Sequence, residues 1–315
     1  MLVEHHKQTQ TIDRTYLLTA PLAELIQEAR AIRQRYCGTS VDICSIMNAK
    51  SGACSEDCAF CAQSGYHKTA IQTYPLKSVA ALVAAAEAAC DNGAQRFGIV
   101  CSGNRPTPRE LDMICEAARL ITERCNIAVC TSLGKLTRDE LRALKHAGVT
   151  RYHHNIETSR QFYPSIVTTH SFDDRIQTIT DAAAAGLEVC SGVIIGLGET
   201  WDDRIDMALE LNNLPIVSVP VNILIPIRGT RLEHQARVSA IDCIRCIALF
   251  RIILQDKVIK IAAGRETVLQ DFQALGFSAG ANGMLIGGYL TVKGRDVAAD
   301  RTLIDEIKIM WANGL

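Results

Sequence analysis

Residues 137–156, TRDELRALKHAGVTRYHHNI, carry one full turn of the pattern that decides the fold. A helical stretch over 137–147 ends at Ala147 and Gly148. The glycine can take the left-handed C-cap conformation, and a strand over 151–156 follows at once. The same alternation extends in both directions. Short β-branched runs predict strands at 42–47, 96–101, 127–131, 187–194, 218–223, 258–262 and 279–286. Helical patterns fall between and after them at 76–90, 108–124, 173–185, 202–211, 240–254, 266–275 and 297–312. Further helix-ending turns stand at Gly93, Gly186 and Gly276. Eight such units over about 250 residues imply an α/β fold, a (β/α)8 TIM-type barrel in which each helix covers a parallel strand. An open doubly wound sheet is the rival arrangement. A helix at 21–36 gives the chain an N-terminal helical extension over residues 1–40 of a single 1–315 domain, because no linker rich in proline, glycine or serine divides it. In a barrel of this kind chemistry gathers at the C-terminal ends of the strands.

The 315 residues are enough for a large core, and 33 basic against 34 acidic residues leave a formal charge of -1. That balance gives no reason to expect nucleic acid as the main partner. No run approaches the roughly 18 apolar residues of a membrane span, and MLVEHHKQTQ lacks the apolar middle of a secretory signal, so the expected location is cytoplasmic. In that setting 13 cysteines read as thiolate ligands and buried thiols rather than disulfides.

Cys54, Cys58 and Cys61 form C-x3-C-x2-C directly after the first strand. Three close thiolates can wrap one metal centre and leave one corner of a four-iron cluster free, which is a catalytic rather than a closed arrangement. Zinc is the alternative, with His67 as a fourth ligand; unligated core cysteines are another.

With Phe60 before its last cysteine, this motif resembles that of the radical S-adenosylmethionine superfamily. Longer runs, KSGACSEDCAFCAQS, YHHNIETS, VCSGVIIGLGET, VPVNILIPIRGT and IAAGRE, spread over residues 50–266, are similar to the biotin synthase family. The resemblance implies a 4Fe-4S cluster on Cys54, Cys58 and Cys61, with S-adenosyl-L-methionine at the open iron. It implies a 5′-deoxyadenosyl radical that removes hydrogen from C9 and C6 of dethiobiotin, and an auxiliary iron–sulfur cluster that supplies the sulfur. It also implies a homodimer, an electron-donating flavodoxin or ferredoxin, and iron–sulfur assembly or sulfur-supply proteins.

By that resemblance Asn155 approaches cofactor and substrate, and Glu157 accepts from the ribose; helix or turn capping is the plainer reading of the pair. Arg175 would clamp the methionine carboxylate, although an arginine in SFDDRIQT also suits a surface ion pair. Gly196 and Gly198 would let backbone approach the cofactor, or simply make a tight turn. Asn222 and His153 would meet the ureido ring of dethiobiotin, while His154 has the opposite strand orientation.

The auxiliary site departs from the family pattern. Cys130 and Cys190 match two of its three cysteines, but Gly98 stands where the third is expected and Lys260 replaces an arginine ligand. Cys101 and Cys44 could complete a set of four thiolates around Cys130 and Cys190, holding a cluster other than the usual arginine-ligated 2Fe-2S form. Cys37 is a weaker substitute for Cys44, and buried unligated thiols are the plain alternative. Protonated Lys260 has no lone pair to ligate iron and would neutralise the cluster's charge from nearby, with Arg265 supplying a second charge or anchoring a loop. Cys90, Cys115, Cys125, Cys243 and Cys246 fall on helices and suit packing. A hydrogenase maturase or a methylornithine-forming mutase would share the barrel and the first cluster. A metal-binding interaction protein without turnover is the alternative of another class.

Overall fold

The computed structural model describes residues 13–290 and 294–314. Nine parallel strands form the sheet: β1 (Asp42–Lys50), β2 (Arg96–Cys101), β3 (Ala128–Ser132), β4 (Val149–His153), β5 (Glu188–Cys190), β6 (Val193–Ile195), β7 (Ser218–Ile223), β8 (Val258–Ile261) and β9 (Gly283–Leu285). Their order is β5-β4-β3-β2-β1-β9-β8-β7-β6, and β5 also meets β7 through Cys190 and Ser218. Since β5 and β6 are two halves of one barrel strand, the sheet closes as an eight-stranded parallel barrel. The open doubly wound sheet is excluded by that closure.

Alternation along each strand separates wall from interior. In β2, Phe97 and Ile99 are buried beneath the helices, while Arg96, Gly98 and Val100 line the central cavity. The surrounding helices start where the sequence supplies reciprocal caps: Thr107 with Glu110, Thr137 with Glu140, Ser171 with Asp174, and Thr200 with Asp203. Each pair satisfies two backbone N–H groups that a helix start otherwise leaves without partners.

Several boundaries differ from the sequence expectation. The fourth strand stops at His153 rather than 156, because the chain turns so that the Asn155 side chain accepts from Gly192 N–H at 2.9 Å. The predicted strand at 187–194 is broken at Ser191 and Gly192. A Cβ on Gly192 would lie 2.0 Å from the Pro220 carbonyl oxygen, so the two segments approach β7 only with glycine there. Gly192→Ala should therefore destabilise the metal-free chain by about 1–3 kcal/mol, measured by urea unfolding. A cost near zero would show that the seam yields easily.

The predicted helix at 266–275 is three short pieces, Arg265–Val268, Gln270–Phe272 and Gln273–Ser278, broken where Gln270 has φ 46°. Gly276 lies inside the last piece and ends nothing; Gly280, with φ 106°, makes the turn instead, which shortens the predicted strand at 279–286 to β9. Gly148, by contrast, takes the left-handed turn its position predicts, with φ 97°.

The N-terminal extension contains a helix the sequence reading lacks, Arg14–Thr19, capped by Asp13. Six residues are too few to show a helical period. The expected helix follows as Leu22–Cys37 and packs on Ala240–Leu254. Its Arg33 lies 3.8 Å from the ring centre of Trp311 in the final helix, Val297–Ala312. Residues 1–12 of the expected extension lie outside the described residues. Among the described residues, no helix is long and apolar enough to cross a membrane.

Candidate functional site

A cavity of about 460 Å³ opens at the C-terminal ends of the strands, where a barrel of this type places its chemistry. Cys54, Cys58, Cys61 and Phe60 line it from the loop after β1, and Cys44, Cys130, Cys190 and Lys260 line it from the strands.

The cysteine loop is held mainly by backbone and carboxylate contacts. Gly65 N–H donates to the Cys54 carbonyl at 2.7 Å, and Cys61 N–H to that of Cys58 at 3.0 Å. Asp57 accepts from Thr168 N–H and Oγ1, at 2.9 and 2.6 Å, so the loop is fixed between two cysteines. Burial pushes the Cys61 thiol up to about 11, with the neighbouring Cys54 adding to the shift; burial raises Cys58 as well. These thiols therefore give up protons when a metal takes them as ligands. His67 Nδ1 lies 2.9 Å from the Cys61 carbonyl and its Nε2 has no hydrogen-bond partner, but the side chain does not line the cavity that the three cysteines share.

Beside this loop, Asn155, Glu157 and Arg175 converge. Asn155 Nδ2 donates to Glu157 Oε2 at 3.2 Å, and Arg175 lies 3.5 Å from Glu157 Oε1. Glu157 is turned there by a left-handed backbone, φ 67°. Arg175 is buried and donates to the Asn155 carbonyl (2.9 Å) and the Tyr163 hydroxyl (2.6 Å), so it is no surface ion-pair residue. Glu56 and His170, which the sequence reading passed over, also line this end and hydrogen-bond at 2.6 Å. Gly196 and Gly198 do not line the cavity. They face Val238 and Leu224, and Phe162 and Gln235, and their φ values of 93° and 109° explain the glycines as turn residues.

Deeper in the barrel, three cysteines from separate strands share one polar neighbourhood. Lys260 Nζ lies 2.7 Å from both Asp42 Oδ1 and Cys44 Sγ. Cys44 Sγ in turn donates to Asp42 at 3.2 Å, and burial pushes this thiol up to about 12. Cys130 is the register neighbour of Arg151, and Cys190 of His153. Burial alone would raise the Cys190 thiol, but His153, Lys260 and Arg151 bring it down to about 6. Reciprocally, His153 is raised by Cys190 against the effect of burial. Arg96, Arg151 and Lys260 set three cations against the carboxylates of Asp42 and Glu188, leaving a positive floor suited to ligated thiolates.

Cys101 stands apart from this polar neighbourhood. It lines the same cavity from the end of β2, three residues beyond Gly98, but has other charged neighbours. Its thiol is raised to about 12 by burial first and then by Glu110, and Lys50 is its other charged neighbour. Cys44 and Cys190, by contrast, both act on the Cys130 group or are acted on by it. The space beside Gly98 is filled by Ile46, whose Cγ2 would lie 3.0 Å from an added Cβ. Room for Lys260 comes from Gly283, where a Cβ would meet Lys260 Cγ at 2.7 Å.

One further expectation changes. Arg265 is fully buried, pairs with Asp300 at 2.5 Å and stays off the cavity lining, so it anchors a loop and supplies no charge to the site. Asn222 lines the cavity; Nδ2 donates to the Val193 carbonyl (3.1 Å) and Oδ1 accepts from Ala263 N–H (3.2 Å), which fixes the amide and leaves a second N–H and a second lone pair. Cys37 contacts Arg251 away from the cavity, and Cys115, Cys243 and Cys246 are buried in the helical layer. Among the described residues, no three His, Cys, Asp or Glu side chains are gathered so as to hold a metal ion as they stand. The donor chemistry nevertheless fits thiolate-ligated clusters: three cysteines on one short loop, and three more above a positive floor.

Residues 49–211 match the family model described as Radical SAM superfamily, and residues 220–309 that of the Biotin and Thiamin Synthesis associated domain. The chain is 51% identical to a biotin synthase of Thermotoga neapolitana, over 85% of this chain and 96% of the relative. It is 48% identical to one from Heliobacterium modesticaldum, over 90% and 87%. Among solved structures, a methylornithine synthase superposes with a TM-score of 0.80 at 20% identity, covering 94% of this chain and 91% of that one. A maturase of the [FeFe]-hydrogenase gives 0.78 at 19%, covering 92% and 70%. At such identities these two structures speak for the fold alone.

Proposed function

This chain belongs to the biotin synthase family of the radical S-adenosylmethionine superfamily, and we propose that it inserts sulfur between C9 and C6 of dethiobiotin. The observation that carries the reading is a single cavity lined by two cysteine groups, one on a loop at its mouth and one on separate strands inside.

Cys54, Cys58 and Cys61 would hold a 4Fe-4S cluster, with Phe60, Asn155, Glu157 and Arg175 around S-adenosyl-L-methionine. When bound, cluster and cofactor supply a radical able to take hydrogen from an unactivated C–H bond. Arg175, fixed by Tyr163, offers a directional donor for a carboxylate, and the Asn155–Glu157 pair offers hydroxyl partners. Ile194, Ile223, Leu224 and Ile227 give the cavity an apolar wall that suits the aliphatic chain of dethiobiotin and excludes water. His153 and Asn222 would face its ureido ring. Cys44, Cys130 and Cys190 would hold an auxiliary sulfur-donating cluster, not the arginine-ligated 2Fe-2S form, with Lys260 offsetting its charge. Reduced flavodoxin or ferredoxin, an iron–sulfur assembly system and a second copy of the chain are the proposed partners.

Incubating the reconstituted chain anaerobically with dethiobiotin labelled at C9 and C6 tests this. Label should appear in 5′-deoxyadenosine, and biotin should form. Formation of 5′-deoxyadenosine without label transfer would point to another radical reaction, as of a maturase or mutase. No 5′-deoxyadenosine at all would point to a binding protein without turnover.

A further inference from the structure

Arg151 is 4% exposed, yet its Nη1 has no hydrogen-bond partner. Its Nε and Nη2 are taken by Glu188, at 3.0 and 2.9 Å, on the β5 side. On the other side its register neighbour is Cys130, and Cys190 lies two positions beyond Glu188. The nearest counter-charge to Nη1 is Asp42 Oδ2, at 3.7 Å, too far for a hydrogen bond. Arg151 lines the cavity, and a buried, charged donor without a partner is costly unless a ligand satisfies it. Lys260 does not compete for that role, since its ammonium is occupied by Asp42 and Cys44.

We propose that Arg151 donates through Nη1 to an iron-bound sulfur of the auxiliary cluster, a thiolate or a sulfide between Cys130 and Cys190. This rests on the presence of that cluster, the reading argued above. Arg151 is thus a positioning residue: its Glu188-bound edge fixes the guanidinium, and its free edge stabilises negative charge on the cluster. Such donors hold clusters in place and make them easier to reduce. In the family pattern the cation at the auxiliary site comes from β8 as a ligand; here β4 supplies a donor that leaves iron to the cysteines.

The test compares the full chain with Arg151→Met, Arg151→Lys and Glu188→Gln variants, each reconstituted anaerobically with iron and sulfide. Iron and sulfide content, Mössbauer spectra and the midpoint potential of each cluster are the readouts. Arg151→Met should weaken retention of the auxiliary cluster by about 10- to 100-fold and move the potential of what remains to more negative values, while the signal of the Cys54–Cys58–Cys61 cluster persists. Glu188→Gln should keep the auxiliary cluster. If Arg151→Met fails to fold, Arg151→Lys decides, because one ammonium cannot serve Glu188 and the cluster together; its potential should also fall. An unchanged auxiliary potential in the folded Arg151 variant overturns the proposal, as does a Glu188→Gln variant that loses the cluster equally. A wild-type chain that takes up iron for one cluster only removes the auxiliary cluster itself, and the proposal with it.

Discussion

Cys58→Ala should abolish reductive formation of 5′-deoxyadenosine and lower the iron and sulfide content by one cluster. The side chain would be the middle ligand of the cluster proposed on C-x3-C-x2-C, and without it two thiolates from one loop would have to hold an entire cluster. The loop has other supports: Asp57 bridges to Thr168, and Arg231 donates to the Asp57 carbonyl at 2.9 Å. The substitution therefore removes a ligand rather than the loop's shape. Undiminished product from a fully reconstituted variant would take Cys58 out of the site. Cys54→Ala and Cys61→Ala should behave in the same way.

Asp300→Asn should cost about 3–5 kcal/mol of stability, read from urea unfolding of the full chain. Asp300 and Arg265 are both fully buried and 2.5 Å apart, so neutralising one leaves a buried charge with only the more distant Glu266, at 3.3 Å. The consequence reaches the cavity, because Arg265 Nε also donates to the hydroxyl of Tyr289, a lining residue. A loss under about 1 kcal/mol would mean that Glu266 suffices as counter-ion.

The barrel was legible because its signals are local and repeated: a cap, a helix, a glycine turn and a strand. The broken fifth strand was not, since Gly192 is required by a carbonyl on β7 and not by anything nearby in sequence. The first cysteine group is likewise contained in one loop. The second group needed geometry. Recognising Asp42 as the partner of Lys260 requires knowing that β1 and β8 both flank β9. Arg151 was within reach of a strand-parity argument, standing two residues before His153, but nothing in the sequence shows that one edge of its guanidinium remains free.

The pairing of β1 with β9 also sets a clock. Asp42, the residue that holds Lys260, is the register neighbour of Gly283. At about 5–20 residues per second of synthesis, the first strand waits on the order of tens of seconds for the partner that closes the barrel. Until then the cysteine loop has emerged without the wall opposite it, and the interior thiols have no shared floor. Cys54, Cys58 and Cys61 are already neighbours on one loop, whereas Cys44, Cys130 and Cys190 come from separate strands, so an auxiliary cluster of the kind proposed would be loaded only after the ribosome has made β9.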